Sequence, residues 1–252
     1  MVAVNDRAIR DAGTPETSWQ PWLNYQKIPL ITLDALCPPA SRLVVIAPHP
    51  DDEVLSCGGL LAMYSGHRSP LVVAVTDGEA SHGITDVQAG ARLGARRAEE
   101  SYAGLRELDV MPSSVVRLGL PDGNIQRLIP VLEKRLHALL RPRDVVISTW
   151  HLDGHPDHEA VGEAASKAAA SKGCRMLQAP VWMWHWANPG DNRIPWQKLI
   201  AFRLPFFASL AKRQALTRHR SQLETTALRA NPILIPSIVD RAAREHEYFF
   251  IN

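Results

Sequence analysis

Two short segments of the chain concentrate groups that can bind a metal ion and move protons. The first, Ala47-Pro48-His49-Pro50-Asp51-Asp52-Glu53, sets one imidazole beside three carboxylates. The second, Gly154-His155-Pro156-Asp157-His158, adds two imidazoles and another carboxylate. His49 and Asp52 share the i, i+3 spacing of His155 and His158, which at the first turn of a helix points two side chains to one side. The prolines stiffen both turns. A catalytic zinc takes three ligands from His and carboxylate and leaves a fourth position to water; His49, Asp52 and His158 supply that set. Mixed N/O ligation suits Zn2+ and also Fe2+, whereas Mg2+ and Ca2+ favour more oxygens. Asp and Pro are also common in ordinary turns, and an Asp ahead of a helix is usually an N-cap. Two such clusters, each following a strand, are harder to explain as turns.

The elements that must position these groups follow from hydrophobic pattern. Leu43-Val44-Val45-Ile46 precedes the first cluster and Val145-Val146-Ile147-Ser148-Thr149 the second, and β-branched runs of this kind signal buried strands. Strand-like runs fall near 42–47, 70–76, 114–118 and 143–149, with helical stretches near 54–66, 88–108, 125–140 and 159–171 between and after them. Alternation of this kind implies βαβ units, an α/β fold and a mostly parallel sheet. Open α/β sheets bind ligands at the carboxyl ends of their strands, where both clusters lie. No GxGxxG follows the first strand, so a dinucleotide site has little support. Residues 175–186 form a further apolar run in which Trp182, Trp184 and Trp186 alternate as on one face of a strand; a packed core is favoured there over a sugar-stacking surface. Residues 208–222 and 236–248 look like amphipathic helices. Residues 1–40 look irregular, and Trp19, Trp22 and Tyr25 should pack this arm on the domain.

With 252 residues, one domain spanning 1–252 is the expected organisation. A net charge of +2 gives no reason to expect a nucleic-acid partner. No apolar run reaches membrane-spanning length. The first twenty residues carry Asp6, Arg7, Arg10, Asp11 and Glu16 and do not resemble a signal peptide, so the cytoplasm is the expected location. Cys37, Cys57 and Cys174 form neither a disulfide framework nor a metal knuckle, and Cys57 lacks a partner base.

The order Ala47–Glu53, Cys57-Gly58-Gly59, Thr76-Asp77-Gly78-Glu79, Arg96-x-x-Glu99, Leu118-Gly119-Leu120-Pro121-Asp122-Gly123 and Gly154–His158 resembles the PIG-L/LmbE-like zinc N-deacetylases. That family includes the GlcNAc-phosphatidylinositol deacetylases and the sugar deacetylases of mycothiol and bacillithiol biosynthesis. The resemblance spans about 42–225 if His219-Arg220-Ser221-Gln222 is included. It implies a Rossmann-like fold with helices on both faces of the sheet, and hydrolysis of an N-acyl group, acetyl being favoured, from an amino-sugar conjugate or similar amine. Carried over position by position, it makes His49, Asp52 and His158 the zinc ligands and Asp51 the general base. His155 becomes a transition-state stabiliser or proton donor, Asp157 the carboxylate that orients a neighbouring imidazole, and Asp122 a contact to substrate hydroxyls. Some relatives carry a tyrosine shortly before the second motif; here the run is Thr149-Trp150-His151-Leu152-Asp153.

Amide hydrolysis needs a polarised carbonyl, an activated water and a protonated leaving amine. Asp51, next to a ligand yet not spent on the metal, can take the proton from water. Either Asp51 or an imidazolium at His155, held by a carboxylate such as Asp157, can deliver it to nitrogen. Glu53 reads as support for the site or as a charge favoured at a helix N-terminus. Glu79 is a candidate for the pocket and Asp77 a weaker one, since Asp-Gly is also an ordinary turn. His82 reads as a solvated loop residue, Arg96 with Glu99 as an internal ion pair, and the cations from Arg203 to Arg220 as a solvated face. The rival functions are hydrolysis of another bond such as a phosphoester, and a non-catalytic metal or glycan binder, which would not require Asp51.

Overall fold

A computed structural model describes residues 7–10, 12–225 and 231–251. The sheet is built from β1 (Leu30–Ile31), β2 (Leu43–Ala47), β3 (Leu71–Ala74), β4 (Val115–Arg117), β5 (Val145–Thr149), β6 (Arg175–Ala179), β7 (Leu199–Arg203) and β8 (His246–Ile251). The helices are α1 (Glu16–Tyr25), α2 (Leu33–Leu36), α3 (Asp52–Ser65), α4 (Val87–Glu107), α5 (Ile129–Leu139), α6 (Pro156–Lys172), α7 (Met183–Trp186), α8 (Phe206–Thr217), α9 (Arg220–Leu223) and α10 (Pro236–Ala242).

The strands lie in the order β1-β7-β8-β6-β5-β2-β3-β4. All neighbours pair in parallel except β8, which runs antiparallel to both β6 and β7. Every residue of β2 and β5 is buried, the reason β2 and the first three residues of β5 are a continuous apolar run rather than alternating. Leu43 and Val45 face one layer, packing with Val54, Leu60 and Leu61 of α3 and Ala208 and Ala215 of α8. Val44 and Ile46 face the other, with Leu132 and Leu136 of α5 and Ala164 and Ala165 of α6. The α/β architecture with helices on both faces is thus present.

From β2 the chain steps outward through β3 and β4, then returns to β5 on the other side of β2 and continues to β6. The order reverses between β2 and β5, the switch point at which such sheets open a crevice beyond their carboxyl ends. Both histidine clusters follow these two strands. Helix α6 lies close over β5 because Gly162 has no side chain: a Cβ there would stand 2.6 Å from the Thr149 carbonyl oxygen.

Several sequence expectations need correction. Residues 1–40 are not irregular, since α1, β1 and α2 lie within them, and Tyr25 is exposed rather than packed. The aromatic run after β6 is not a strand; β6 ends at Ala179 and Met183–Trp186 forms one helical turn. Trp184 and Trp19 are buried in one aromatic cluster, ring centroids 5.0 Å apart and perpendicular, and Trp19 Nε1 donates to the Trp184 carbonyl at 2.8 Å. The segment expected as a helix over 236–248 stops at Ala242, and His246-Glu247-Tyr248-Phe249-Phe250-Ile251 becomes β8; its aromatic and β-branched residues suit a strand between two others. The expected 208–222 helix starts at Phe206 and breaks after Thr217. No helix among the described residues is long and apolar enough to cross a membrane.

Candidate metal and catalytic site

Beyond β2 the chain makes a strained corner. Asp51 has φ 136°, a region that L-residues other than Gly rarely adopt and that costs of order 1–3 kcal/mol. The corner is held from several sides. Glu53 Oε2 accepts from the Asp51 N–H at 3.0 Å, and Ser101 of α4 donates to the other Glu53 oxygen at 2.5 Å. Arg97 of α4 donates to the Pro50 and Gly78 carbonyls at 3.0 Å each and lies 3.3 Å from Asp51 Oδ2. Glu53 is therefore structural support for the corner. His49 precedes α3 rather than lying on its first turn, so the i, i+3 reasoning is wrong in its cause. His49 and Asp52 meet because the loop folds back: Asp52 Oδ2 accepts from the His49 N–H at 3.0 Å and lies 3.1 Å from His49 Nδ1.

The second cluster enters from β5. His155 is the N-cap of α6 and its Nδ1 accepts from the Asp157 N–H at 3.3 Å. His158 sits inside the first turn, its carbonyl bound by Thr149 Oγ1 at 3.0 Å. The three rings converge, with centroids 4.9 Å (His49–His155), 5.3 Å (His49–His158) and 4.9 Å (His155–His158) apart. Asp52 Oδ2 is 3.1 Å from His158 Nε2 as well as from His49. Asp122 Oδ1 and Asp157 Oδ2 approach His49 Nε2 at 3.0 and 3.4 Å. Two triads, His49/His155/His158 and His49/Asp122/Asp157, hold ligand atoms close enough to share one ion.

Electrostatics fit a cation. His158 Nδ1 lies 2.8 Å from Asp153 Oδ2, and since a carboxylate only accepts, the proton belongs on Nδ1. That leaves Nε2 as the inward atom; it is buried and stands 3.1 Å from Asp52 Oδ2. Against burial, the Asp52 and Asp153 charges raise the His158 pKa to about 9. Against burial as well, His158 and His49 hold the Asp52 carboxyl far below the usual range. Burial, reinforced by Asp52 and Glu53 and opposed by Arg97, lifts Asp51 to about 7. Burial and the neighbouring His158 and His49 push His155 down to about 3.

The cavity over these groups has a volume of about 440 Å³, and Ile9, Leu55, Trp182 and Leu234 give it an apolar rim. His82, expected in solvent, lines it together with Gln222. The Asp157 carboxylate accepts from the Gly123 and Ile125 N–H groups at 2.7 and 3.2 Å and faces His49, not His155. Glu79 does not reach the cavity wall; it accepts from the Asp122 N–H at 2.8 Å and so sets the Asp122 loop. Asp77 pairs with Arg117 at 2.7 Å. Arg96 pairs with Glu100 and Glu224, at 2.9 and 3.7 Å, rather than with Glu99. Cys57 is buried, and burial raises its thiol pKa, which disposes of a nucleophile role.

The profile of the GlcNAc-PI de-N-acetylases (PIG-L) matches residues 44–169, the stretch that carries both clusters. The chain belongs to the PIG-L family. It is 30% identical over 139 residues to a probable N-acetyl-alpha-D-glucosaminyl L-malate deacetylase 2 of Bacillus subtilis, covering 52% of this chain and 62% of that relative, so it matches less than two thirds of the relative's length. In fold it is similar to the A40926 pseudoaglycone deacetylase Dbv21 (TM-score 0.63, 20% identity, 84% of this chain and 96% of that one). It is similar also to the N,N'-diacetylchitobiose deacetylase of Pyrococcus horikoshii (TM-score 0.53, 21% identity, 85% and 82%).

Two residues that hold this PIG-L site together were absent from the sequence expectations. Arg97 lies on the buried stripe of α4 with Gly90, Gly94, Ser101 and Gly104, and a lone cation on a stripe of small residues at helical spacing is a readable signal. Asp153 is fully buried and accepts from the Val181, Trp182 and Met183 N–H groups at 2.9 Å each, besides His158. Nothing local to the sequence announces that role.

Proposed function

We propose that the protein is a metal-dependent N-deacylase that removes an acyl group, principally acetyl, from an amino-sugar conjugate. The ligands are assigned to His49, Asp52 and His158, with Zn2+ as the ion and Fe2+ as the alternative. The observation that carries the reading is the buried Nε2 of His158 converging with Asp52 and His49, beside a carboxylate, Asp51, that is paired with none of them. When bound, a divalent cation supplies Lewis acidity toward an acyl oxygen and lowers the pKa of water.

The chain's own residues do the rest. Asp51 is the base: its carboxylate lines the cavity, and a pKa raised to about 7 suits a group that must accept a proton and then release it. That proton goes from the attacking water to Asp51 Oδ2 or Oδ1 and then to the departing amine nitrogen. His155 is assigned the oxyanion. Its Nδ1 accepts from the Asp157 N–H, so the neutral ring carries its proton on Nε2 and can donate it to the developing negative oxygen, the role a tyrosine has in some relatives. No carboxylate holds His155 as a cation, which favours Asp51 over His155 as the acid. Asp122, fixed by Glu79 and Ala80, presents its carboxylate for sugar hydroxyls. The relative from Bacillus subtilis, a probable N-acetyl-alpha-D-glucosaminyl L-malate deacetylase 2, supports the same substrate class.

The experiment is to load the protein with Zn2+ or Fe2+, supply N-acetylglucosaminides and phosphomonoesters, and measure free amine and phosphate. Release of amine and acetate in equal amounts is expected. Phosphate release without amine would move the protein to the rival hydrolase class, and metal binding with neither product would make it a binder.

A further inference from the structure

The wall of the catalytic cavity is divided by chemistry. One part carries the histidines and carboxylates described above; Ile9, Leu55, Trp182 and Leu234 make the other apolar. These four come from separate parts of the chain, and each part is tied to the catalytic frame. Leu55 stands one turn after Asp52 on α3, on the same side of the helix. The Trp182 N–H donates at 2.9 Å to Asp153 Oδ2, the oxygen that also lies 2.8 Å from His158 Nδ1. The Leu234 N–H donates at 2.9 Å to the carbonyl of Gln222, itself part of the wall. Ile9 closely follows Arg7, whose carbonyl oxygen would stand 2.5 Å from a Cβ placed on Gly154.

Ile9, Leu55 and Trp182 are only half-buried. Apolar surface left open in a polar site gains free energy when an apolar ligand removes it from water. The charge of the wall points the same way. Asp51, Asp52 and Asp122 line the cavity, and Arg97 is the one Lys or Arg in its wall among the described residues. Arg97 is buried, donates to the Pro50 and Gly78 carbonyls and pairs with Asp51. It is thus committed to the corner at Asp51, and no ammonium or guanidinium remains to meet an acidic substrate group. A carboxylate or phosphate beside the apolar wall would lose water without gaining a partner.

We propose that the enzyme selects amino-sugar conjugates whose aglycone is uncharged and apolar. The sugar hydroxyls meet Asp122, and the aglycone lies along Leu55, Trp182, Ile9 and Leu234. The preference rests on the amino-sugar reading of the site and names the residues that choose among such conjugates. Trp182 is the central one, because Asp153 fixes its backbone and the His158 ring together.

Calorimetric titration of Zn2+-loaded Asp51→Asn protein, which should bind without turnover, compares the methyl, hexyl and carboxymethyl glycosides of N-acetylglucosamine. The hexyl glycoside should bind at least about tenfold more tightly than the methyl glycoside, and the carboxymethyl glycoside no more tightly than the methyl. Adding W182A should remove most of the hexyl advantage; should that protein fail to fold, I9S at the half-buried arm position reads the same loss. Equal affinity for methyl and hexyl, tighter binding of carboxymethyl than of methyl, or a hexyl advantage that survives the wall substitution would overturn the proposal. The two readings fail separately. Native protein that releases amine from none of the glycosides removes the deacylase assignment, while the order of affinities decides the aglycone preference.

Discussion

Asp51 and Asp52 are adjacent in sequence but face different tasks, and the φ of 136° at Asp51 is what separates them. Asp52 turns to the two imidazoles; Asp51 turns to Arg97. Asp51→Asn should keep the fold and the cation, because no assigned ligand is removed, while turnover falls by roughly 10²–10⁴-fold; elemental analysis and an amine assay on one sample check this, and undiminished turnover contradicts it. The acid limb of kcat/KM should reflect Asp51, which works only when deprotonated. Its pKa is raised to about 7, so activity rises with pH through that region. Arg97 lowers that pKa, so Arg97→Met should move the limb to higher pH; a shift to lower pH contradicts the pairing. Asp153→Ala strips His158 of the acceptor that fixes its tautomer and should weaken cation binding by roughly 10–100-fold, read by titration with the metal.

At the scale of elements, the kink in α3 explains a buried ion pair. Cys57 has non-helical dihedrals inside the helix, and the turn that restarts after it presents free N–H groups at Gly59 and Leu60. Glu247 of β8 accepts both, at 2.8 and 2.9 Å, and Lys212 of α8 neutralises it. Lys212→Met leaves a buried carboxylate unpaired and should cost about 3–5 kcal/mol of stability, measured by urea unfolding; a loss below about 1 kcal/mol contradicts this role. The expectation that the basic residues of this region form a solvated face fails at Lys212, which is buried. The βα units from 42 to 172 were legible because each strand is locally apolar, α4 and α5 are amphipathic, and α6 is an Ala-rich run that opens on Pro156-Asp157. β7 and β8 were not. They pair antiparallel with each other and β8 inserts between β6 and β7, a long-range event that no short-range periodicity encodes. Likewise His49, Asp51, Asp52 and the second cluster could be read from residue type, whereas Asp153 gains its meaning only from the turn at 181–183 that folds onto it.

For the whole molecule, the switch point between β2 and β5 brings together residues about a hundred positions apart and leaves behind them a layer of buried polar groups. His219 is one: it is fully buried, both ring nitrogens lack partners, and burial with nearby Arg97 lowers its pKa to about 3. The unfolded chain binds a proton there near 6.5, the folded chain only near 3, so the stability present above pH 6.5 is withdrawn as pH falls between these values. This one group contributes a slope of about 1.4 kcal/mol per pH unit in that window. His219→Leu should flatten the fall in stability between pH 6.5 and 3, as followed by denaturant unfolding; an unchanged slope contradicts it.

In the proposed function the arrangement serves a cation and a base acting on one amide. The most direct measurement is amine release from an N-acetylglucosaminide by one protein sample, first stripped with chelator, then reconstituted with one equivalent of Zn2+ or Fe2+, in the native chain and in His158→Ala. Activity should vanish on stripping, return on reconstitution, and fail to return at one equivalent in His158→Ala. Amine release that survives complete removal of the metal, or that His158→Ala restores in full, would contradict the assignment.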